Sequence, residues 1–400
     1  MLVDQFPPET TERHFAAQHA RAANYPRAAR LRVLHVGKYY PPYKGGMESH
    51  LKILSHELKG EVDLKVLVAN GERQTRNEHI DGVDVTRVGK LFDFSAAPVC
   101  PGLVREIRNS KADVVHLHWP NPTAVLAYLA SGHPGKLIFT YHSDIVRQRK
   151  MAVAFGPILR HALKKSSAII VTSPNYIEGS DVLREFRSRC RVIPFGVSVD
   201  YFNQYDPKEA QTIRKRYGPR LVLGVGRMVY YKGFEYLVRA MTLVDGHLLI
   251  IGNGPLREAL GHLAIDLGIS DRVTLLDEVD DVRPYYHAAD AFVLSSVMRS
   301  EAFGIVQLEA MACGKPVVNT QIDSGVTFVS KHGVSGLTVP AADVAALGEG
   351  INQLLDQPEL RAMLGEGARR RVAENFTIET MTQSTLELYH EVVEARRAGE

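Results

Sequence analysis

Two glutamates eight positions apart, Glu301 and Glu309, bracket an apolar stretch with a Phe-Gly core, "EAFGIVQLE", and Gly314 and Pro316 close the segment soon after. The pattern predicts a helix from near Phe303, with Glu301 on the loop before it and Glu309 about two turns further on. The free N–H groups of a helix start hold anions, above all phosphates. A carboxylate beside them can accept hydrogen bonds from sugar hydroxyls, and a second carboxylate along the helix can grip a ribose. Sugar, diphosphate and ribose in sequence are the layout of a nucleotide sugar. The spacing alone fits equally a half-buried helix whose two glutamates are solvated or salt-bridged.

Cations stand where a diphosphate would need them. "GVGRMVYYKG" sets Arg227 at the end of an expected strand and Lys232 five residues on, at the start of a helix. Two fixed positive charges there can stabilise a leaving diphosphate, or they are surface charges flanking a loop. The run is not a dinucleotide fingerprint, because Gly224 and Gly226 are followed by Val229 where a third glycine would stand. Near the N-terminus, "KYYPPYKGGMESH" puts Gly45 and Gly46 at a helix start, where paired glycines let backbone amides approach a phosphate or simply cap the helix. "TYHSD" ends a strand at His142, suited to a substrate hydroxyl or a proton transfer, or to a structural bond. "HLHW" ends another, with His116 and His118 on one side; His118 and Trp119 fit the lining of an acceptor pocket or, preferably, packing. No Asp-x-Asp, His-Glu-x-x-His or cysteine zinc box occurs, so no metal site and no cofactor are expected.

Groups of this kind must be presented by strand ends. Short, continuous, β-branched runs recur at 31–37, 64–70, 113–119, 136–142 and 167–173, mostly with helical stretches between them. Strands buried on both faces of a parallel sheet read this way. A second series lies at 221–227, 247–254, 272–278, 291–296 and 315–320. The expected fold is therefore α/β, with two doubly wound domains: a leader at 1–29, an N-terminal domain at 30–195, a C-terminal domain at 196–375, and a helix at 376–400 crossing back to the first domain. The linker is expected at 191–202. Two such domains leave a cleft at the carboxyl ends of their strands.

Composition narrows the classes. The 400 residues carry 48 Lys and Arg against 45 Asp and Glu, a net charge of +3 that gives no argument for nucleic acid. Three separated cysteines, Cys100, Cys190 and Cys313, suit a reduced cytoplasm. No apolar run reaches the roughly 20 residues of a membrane span, and the N-terminus does not read as a signal peptide.

Taken in order, "KGGMESH", "TYHSD", "VIPFGVSVDYF", "GRMVYYKGFEYLVRAM", "IIGNGP" and "EAFGIVQLEAMACGKPVV" resemble the retaining GT-B glycosyltransferases of family 4 across about 31–375. The most specific match is the glutamate, seven residues, glutamate pattern. The resemblance implies two Rossmann-like domains facing a central cleft and no metal requirement. It implies that Glu301 binds donor-sugar hydroxyls and that the backbone of Gly304, Ile305 and Val306 meets sugar and phosphate. Glu309 would hold the ribose, Arg227 and Lys232 the diphosphate, Gly46 the phosphates, and His142 the donor sugar. The implied chemistry is a front-face substitution in which the leaving phosphate helps deprotonate the acceptor. The run 321–340 is similar to the donor-side loop of bacterial polysaccharide and O-antigen transferases, many of them mannosyltransferases, with Asp323 where that group often has Pro. The expected activity is transfer of a hexose from GDP-mannose or a UDP-hexose to a glycan or lipid-linked acceptor. The alternative is an epimerase-type GT-B enzyme that uses no acceptor.

A basic stretch bears on that acceptor. Residues 145–191 hold ten Lys or Arg and three acids, and no acid occurs between 145 and 165. Arg147, Arg149, Lys150, Lys164 and Lys165 surround the apolar "MAVAFGPIL". Such a segment fits an anionic membrane surface at the inner face of the cell membrane, or a solvated helix face.

Overall fold

A computed structural model describes residues 30–43, 45–94, 97–144 and 149–397, with side chains for these apart from 149–152 and 396–397. The leader expected at 1–29, and Arg147, lie outside the described residues. The expected α/β class is what the chain adopts: two large, mainly parallel sheets with helices between the strands. The first sheet has eight strands in the order Cys190–Val192, Ala168–Val171, Lys136–Tyr141, Val114–Trp119, Arg32–Val36, Asp63–Ala69, Val83–Val88, Arg76–Ile80. Every residue of Val114–Trp119 and Ala168–Val171 is buried, which is why neither run carries an acidic residue, lysine or arginine. In register, Val33 stands opposite Leu64 on one side and Val114 on the other.

The second sheet has six parallel strands in the order Val273–Leu276, His247–Ile251, Leu221–Val225, Ala291–Leu294, Val317–Gln321, Gly336–Pro340. Leu223 pairs with Leu249 on one side and Phe292 on the other. Numbered along the chain within this sheet, the order is 3-2-1-4-5-6, and the direction of winding reverses between Leu221–Val225 and Ala291–Leu294. A crevice opens at the carboxyl ends of two such strands, because the connections leave them toward opposite edges of the sheet. Val222, Leu237, Val238, Leu248, Ile250, Val293, Val318, Leu347 and Ile351 form the core that holds these strand ends in place.

The structure adds elements to those read from the sequence. Arg76–Ile80 and Val83–Val88 form an antiparallel hairpin through a two-residue Asp81–Gly82 turn, both residues at positive φ (51° and 83°). Phe92–Phe94 and Ala97–Val99 form a second antiparallel pair, and Gly336–Pro340 is a sixth strand of the second sheet. The stretch 191–202, expected as linker, begins in the edge strand Cys190–Val192 and ends in the helix Val199–Asn203.

Packing divides the chain into two compact units. One runs through Leu117 and includes Thr123–Ile138 and the chain from Glu379; the other holds His118–Pro122 and Phe139–Ile378. Residues 139–195, expected with the N-terminal domain, thus pack within the second unit although their strands belong to the first sheet. In the first unit the final helix, Ile378–Arg397, inserts the hydroxyl of Tyr389 between two buried histidines, 2.9 Å from His35 Nε2 and 2.6 Å from His116 Nδ1.

Candidate active site

The carboxyl edge of the second sheet presents Arg227, Lys232, Glu301 and the Gly304 helix start. Strand Leu221–Val225 ends in Gly226 and Arg227, whose side chain is exposed and makes no ion pair or side-chain hydrogen bond among the described residues. A single 3-10 turn, Tyr230–Lys232, then leads to Gly233 at φ 63°. A Cβ at Gly233 would lie 2.1 Å from the carbonyl oxygen of Ser295, so only glycine fits both the backbone angle and the space. That close approach stitches two strand ends together. Ser295 Oγ donates to the Lys232 carbonyl at 3.0 Å, and Val297 N–H donates to the Tyr231 carbonyl at 2.9 Å.

Across this seam Lys232 Nζ lies 2.5 Å from Glu301 Oε2, with both side chains about nine-tenths buried (10% and 11% exposed). Ser296 Oγ donates to the same oxygen at 3.1 Å. The expected diphosphate-binding cation and sugar-binding carboxylate are therefore each other's partners. A buried pair of this kind is sensitive to loss of either member, which strands the other charge away from water. It also permits an exchange: an arriving phosphate can take the ammonium and release the carboxylate to accept hydroxyl hydrogen bonds.

The helix after Glu301 begins at Ile305, two residues later than expected, with Gly304 as its N-cap at φ 75°. A Cβ at Gly304 would meet Leu294 at 2.7 Å. The first-turn amides of Ile305 and Val306 have no acceptor among the described residues, as expected of a helix start that meets an anion. Glu309 is half-buried one face further on, where Tyr286 Oη donates to its Oε2 at 2.7 Å. Burial pushes the Glu309 carboxyl up to about 7, while the Tyr286 hydrogen bond and the Lys232 charge act in the opposite sense.

His142 lies at the end of strand Lys136–Tyr141, buried, with its backbone N–H donating to the Trp119 carbonyl at 2.9 Å. Its Nε2 is 3.1 Å from His118 Nδ1, so one ring donates and the other accepts. His142 stacks on Phe195 at 5.5 Å, and Phe195 meets Phe303 edge-on at 5.3 Å. A row of rings thus runs from His118 to a residue two positions from Glu301. His118 and Trp119 are each 2% exposed, in line with the packing role preferred for them.

The first-domain glycines are placed less tellingly. Gly45 caps and Gly46 opens the helix Gly46–Leu58; both are exposed, and a Cβ would meet the Glu48 carboxylate at Gly45 and nothing at Gly46. His116 and His35 both meet the Tyr389 hydroxyl, and burial drives His35 down to about 3.

The basic stretch is partly neutralised. Its three acids are all engaged: Glu185 takes Arg160, Asp181 takes Arg184, and Glu178 takes Arg187. Lys164 and Lys165 remain exposed at the end of helix Arg149–Lys165, and Val153 on the same helix is 77% exposed. The side chains of Arg149 and Lys150 lie outside the described residues.

Two groups were not singled out from the sequence. Tyr286 had no signal beyond being one of a Tyr pair, since a tyrosine's partner is set by tertiary packing. The other is an ion pair between Asp144 and Arg299, each two residues from an expected site residue.

Comparison with known proteins agrees with this geometry. Residues 44–201 match the family Glycosyltransferase Family 4, and residues 206–371 match Glycosyl transferases group 1. The chain is 33% identical to the D-rhamnosyltransferase WbpZ of Pseudomonas aeruginosa, over 87% of this chain and 92% of that protein. It is 30% identical to the O-antigen chain mannosyltransferase C of Escherichia coli, over 92% of this chain and all of that protein. Among solved structures, Anabaena Alr3699/HepE in complex with UDP-glucose superposes with a TM-score of 0.74 at 19% identity, covering 92% of this chain and all of that one. The sheet order, the glutamate pair around Phe303–Gly304 and these full-length matches lead to one assignment: the chain belongs to the family 4, group 1 glycosyltransferases and has the GT-B fold.

Proposed function

We propose that this glycosyltransferase moves a hexose from a nucleoside-diphosphate sugar to a glycan or lipid-linked acceptor in cell-surface polysaccharide synthesis, with retention of configuration and without a metal. GDP-mannose is the favoured donor, ahead of a UDP-hexose. The observation that carries the reading is the buried Lys232–Glu301 pair at the winding reversal of the second sheet. A donor diphosphate takes Lys232 and Arg227 and the amides of Ile305 and Val306. Glu301 is then released to the donor-sugar hydroxyls, Glu309 accepts from the ribose, and His142 stands by the reacting carbon. The acceptor oxygen bonds to the anomeric carbon on the face from which the phosphate departs. The acceptor's proton passes to a leaving phosphate oxygen, so the products are the glycoside and the nucleoside diphosphate. The mannose preference is supported by the full-length similarity to an O-antigen mannosyltransferase.

The test is a panel of nucleotide sugars followed by thermal shift and by release of the nucleoside diphosphate, with the product anomer read by NMR and chelator added in parallel. GDP-mannose is expected to stabilise the protein most and to turn over with retention in the presence of chelator. A UDP-hexose that does better overturns the donor assignment, an inverted product overturns retention, and loss of turnover with chelator overturns metal independence.

We further propose peripheral contact with an anionic bilayer at the inner face of the cell membrane, supported by exposed Lys164, Lys165 and Val153 on one helix. No described helix is long and apolar enough to cross a membrane. Co-sedimentation is expected to rise with phosphatidylglycerol content of the vesicles; indifference to that content removes the proposal.

A further inference from the structure

The segment between strand Ala291–Leu294 and helix Ile305–Ala312 is held along its length, with Gly325 N–H donating to the Ala302 carbonyl at 2.8 Å and three further ties that bear on Glu301. Its base is fixed by Val297 N–H on the Tyr231 carbonyl, at 2.9 Å, and its far end by Glu301 on Lys232, at 2.5 Å. The middle is held by Arg299, whose Nη2 lies 2.7 Å from Asp144 Oδ2. Asp144 follows His142 by two residues, and Arg299 precedes Glu301 by two. One ion pair therefore joins the loops that present both.

Asp144 is built for this partner. Its Oδ1 accepts from Tyr141 Oη at 2.6 Å and from Ser180 Oγ at 3.0 Å, and its backbone N–H donates to Tyr176 Oη at 2.8 Å. Those bonds fix the carboxylate plane and leave Oδ2 facing Arg299. The guanidinium stands 5.2 Å over the fully buried ring of Tyr176. Its Nε and Nη2 are buried without an aligned hydrogen bond, so Nη2 meets Asp144 as a charge contact and not as a straight hydrogen bond. An arginine with two buried donors left unsatisfied is poor as a stability device.

We infer that Asp144 and Arg299 are positioning residues for glycosyl transfer: their ion pair keeps the Glu301 loop fixed against the His142 loop while Glu301 and Lys232 exchange partners. The inference rests on the proposed roles of Glu301 and Lys232. If the Lys232–Glu301 pair opens as donor binds, Ser296 Oγ on Glu301 and the Gly325 N–H on the Ala302 carbonyl still hold the segment's own end, and the Arg299 contact ties it to the His142 loop. Small displacements of a positioned group cost large factors in rate.

The test uses the full chain with Asp144→Asn, Arg299→Gln, Arg299→Lys and the Asp144→Asn/Arg299→Gln double variant. Steady-state turnover with the donor found by the nucleotide-sugar panel is measured beside amide hydrogen exchange over 297–304. Each single variant is expected to lose about 30-fold in kcat, with donor KM changed less than about threefold. The double variant is expected to be no worse than the singles, because both remove one interaction. Arg299→Lys, which keeps the charge, is expected to recover at least about fivefold over Arg299→Gln. Exchange over 297–304 is expected to quicken about tenfold in both singles. Turnover within about twofold of the parent, or multiplicative losses in the double variant, overturns the inference. Unchanged exchange overturns it independently of activity. A parent protein that turns over no nucleotide sugar counts instead against the proposed function, and the exchange measurement then decides the pin by itself.

Discussion

Two of the buried polar clusters among the described residues differ in character. In the first unit, Tyr389 joins His35 and His116 in a cluster in which the one hydroxyl lies within hydrogen-bond distance of both rings. Burial keeps His35 neutral and holds the Tyr389 hydroxyl well above its ordinary value. In the second unit, Lys232 and Glu301 are charged and paired, and around them stand exposed Arg227, the unbonded amides of Ile305 and Val306, and Glu309 with an oxygen to spare among the described residues. The first cluster satisfies its members and ties a helix to a sheet. The second pairs its two charges, with Ser296 Oγ as a further donor to Glu301, and has unused donors and acceptors beside it. Burial and polarity are common to both; the unused capacity beside the second is what marks a ligand site.

Substitution of Glu301 should have the largest consequence. Glu301→Ala is expected to lower kcat by about a thousandfold, near 4 kcal/mol of transition-state stabilisation, with the fold retained by circular dichroism. Turnover close to the parent's removes Glu301 from the site. Gly233→Ala comes next. Its methyl collides with the Ser295 carbonyl and its φ is strained, so the seam that sets Lys232 should shift. A loss of about a hundredfold in kcat and about 1–3 kcal/mol in denaturant stability is expected; a variant with both values intact shows that the seam does not position the lysine.

The first cluster should answer in the opposite way. Tyr389→Phe leaves two buried imidazoles without their shared partner and is expected to cost about 1–3 kcal/mol of stability, read from urea midpoints, with kcat unchanged. A variant of parental stability and reduced turnover would reverse the assignment of the two clusters.

Titration of Glu309 gives the mildest of these tests. The Glu309 carboxyl is raised from 4.5 to about 7, so its contribution to stability is fully present below about 4.5 and is lost as pH rises through 7. The parent should lose on the order of 2 kcal/mol from this group between pH 5 and pH 8, and Glu309→Gln should abolish that slope. Donor KM should rise as pH falls below about 7 in the parent, where the ribose acceptor becomes protonated, and stay flat in Glu309→Gln. A parental slope that survives the substitution assigns the titration to another group.

The sequence revealed the strands that bear the site because both-face burial demands uninterrupted apolar residues, and such runs are visible without a fold. It hid the strands that lack this feature. Arg76–Ile80 is an exposed edge with only Ile80 and Glu78 half-buried, so its sole signal was the Asp81–Gly82 dipeptide between two short runs. Gly336–Pro340 is bounded by a glycine and a proline that read as loop. Of the candidate site, Glu301, Glu309, Arg227, Lys232 and the Gly304 helix start were legible, because they lie within two short segments whose spacing is the signal. Tyr286, Phe195 and the Asp144–Arg299 pair were not, since each gains its meaning from a residue far away in the chain.

By itself, then, the sequence determined the alternation of strands and helices, the two sheets, and the two segments dense in cations and carboxylates, because periodicity and local spacing are properties of neighbouring residues. Only the tertiary structure decided that Lys232 and Glu301 are partners, that His142 pairs with His118, and that the other strand-end histidine belongs to a structural cluster. Pairing across a sheet's carboxyl edge depends on strand order, and strand order is fixed by the packing of the whole core and not by any local pattern of residues.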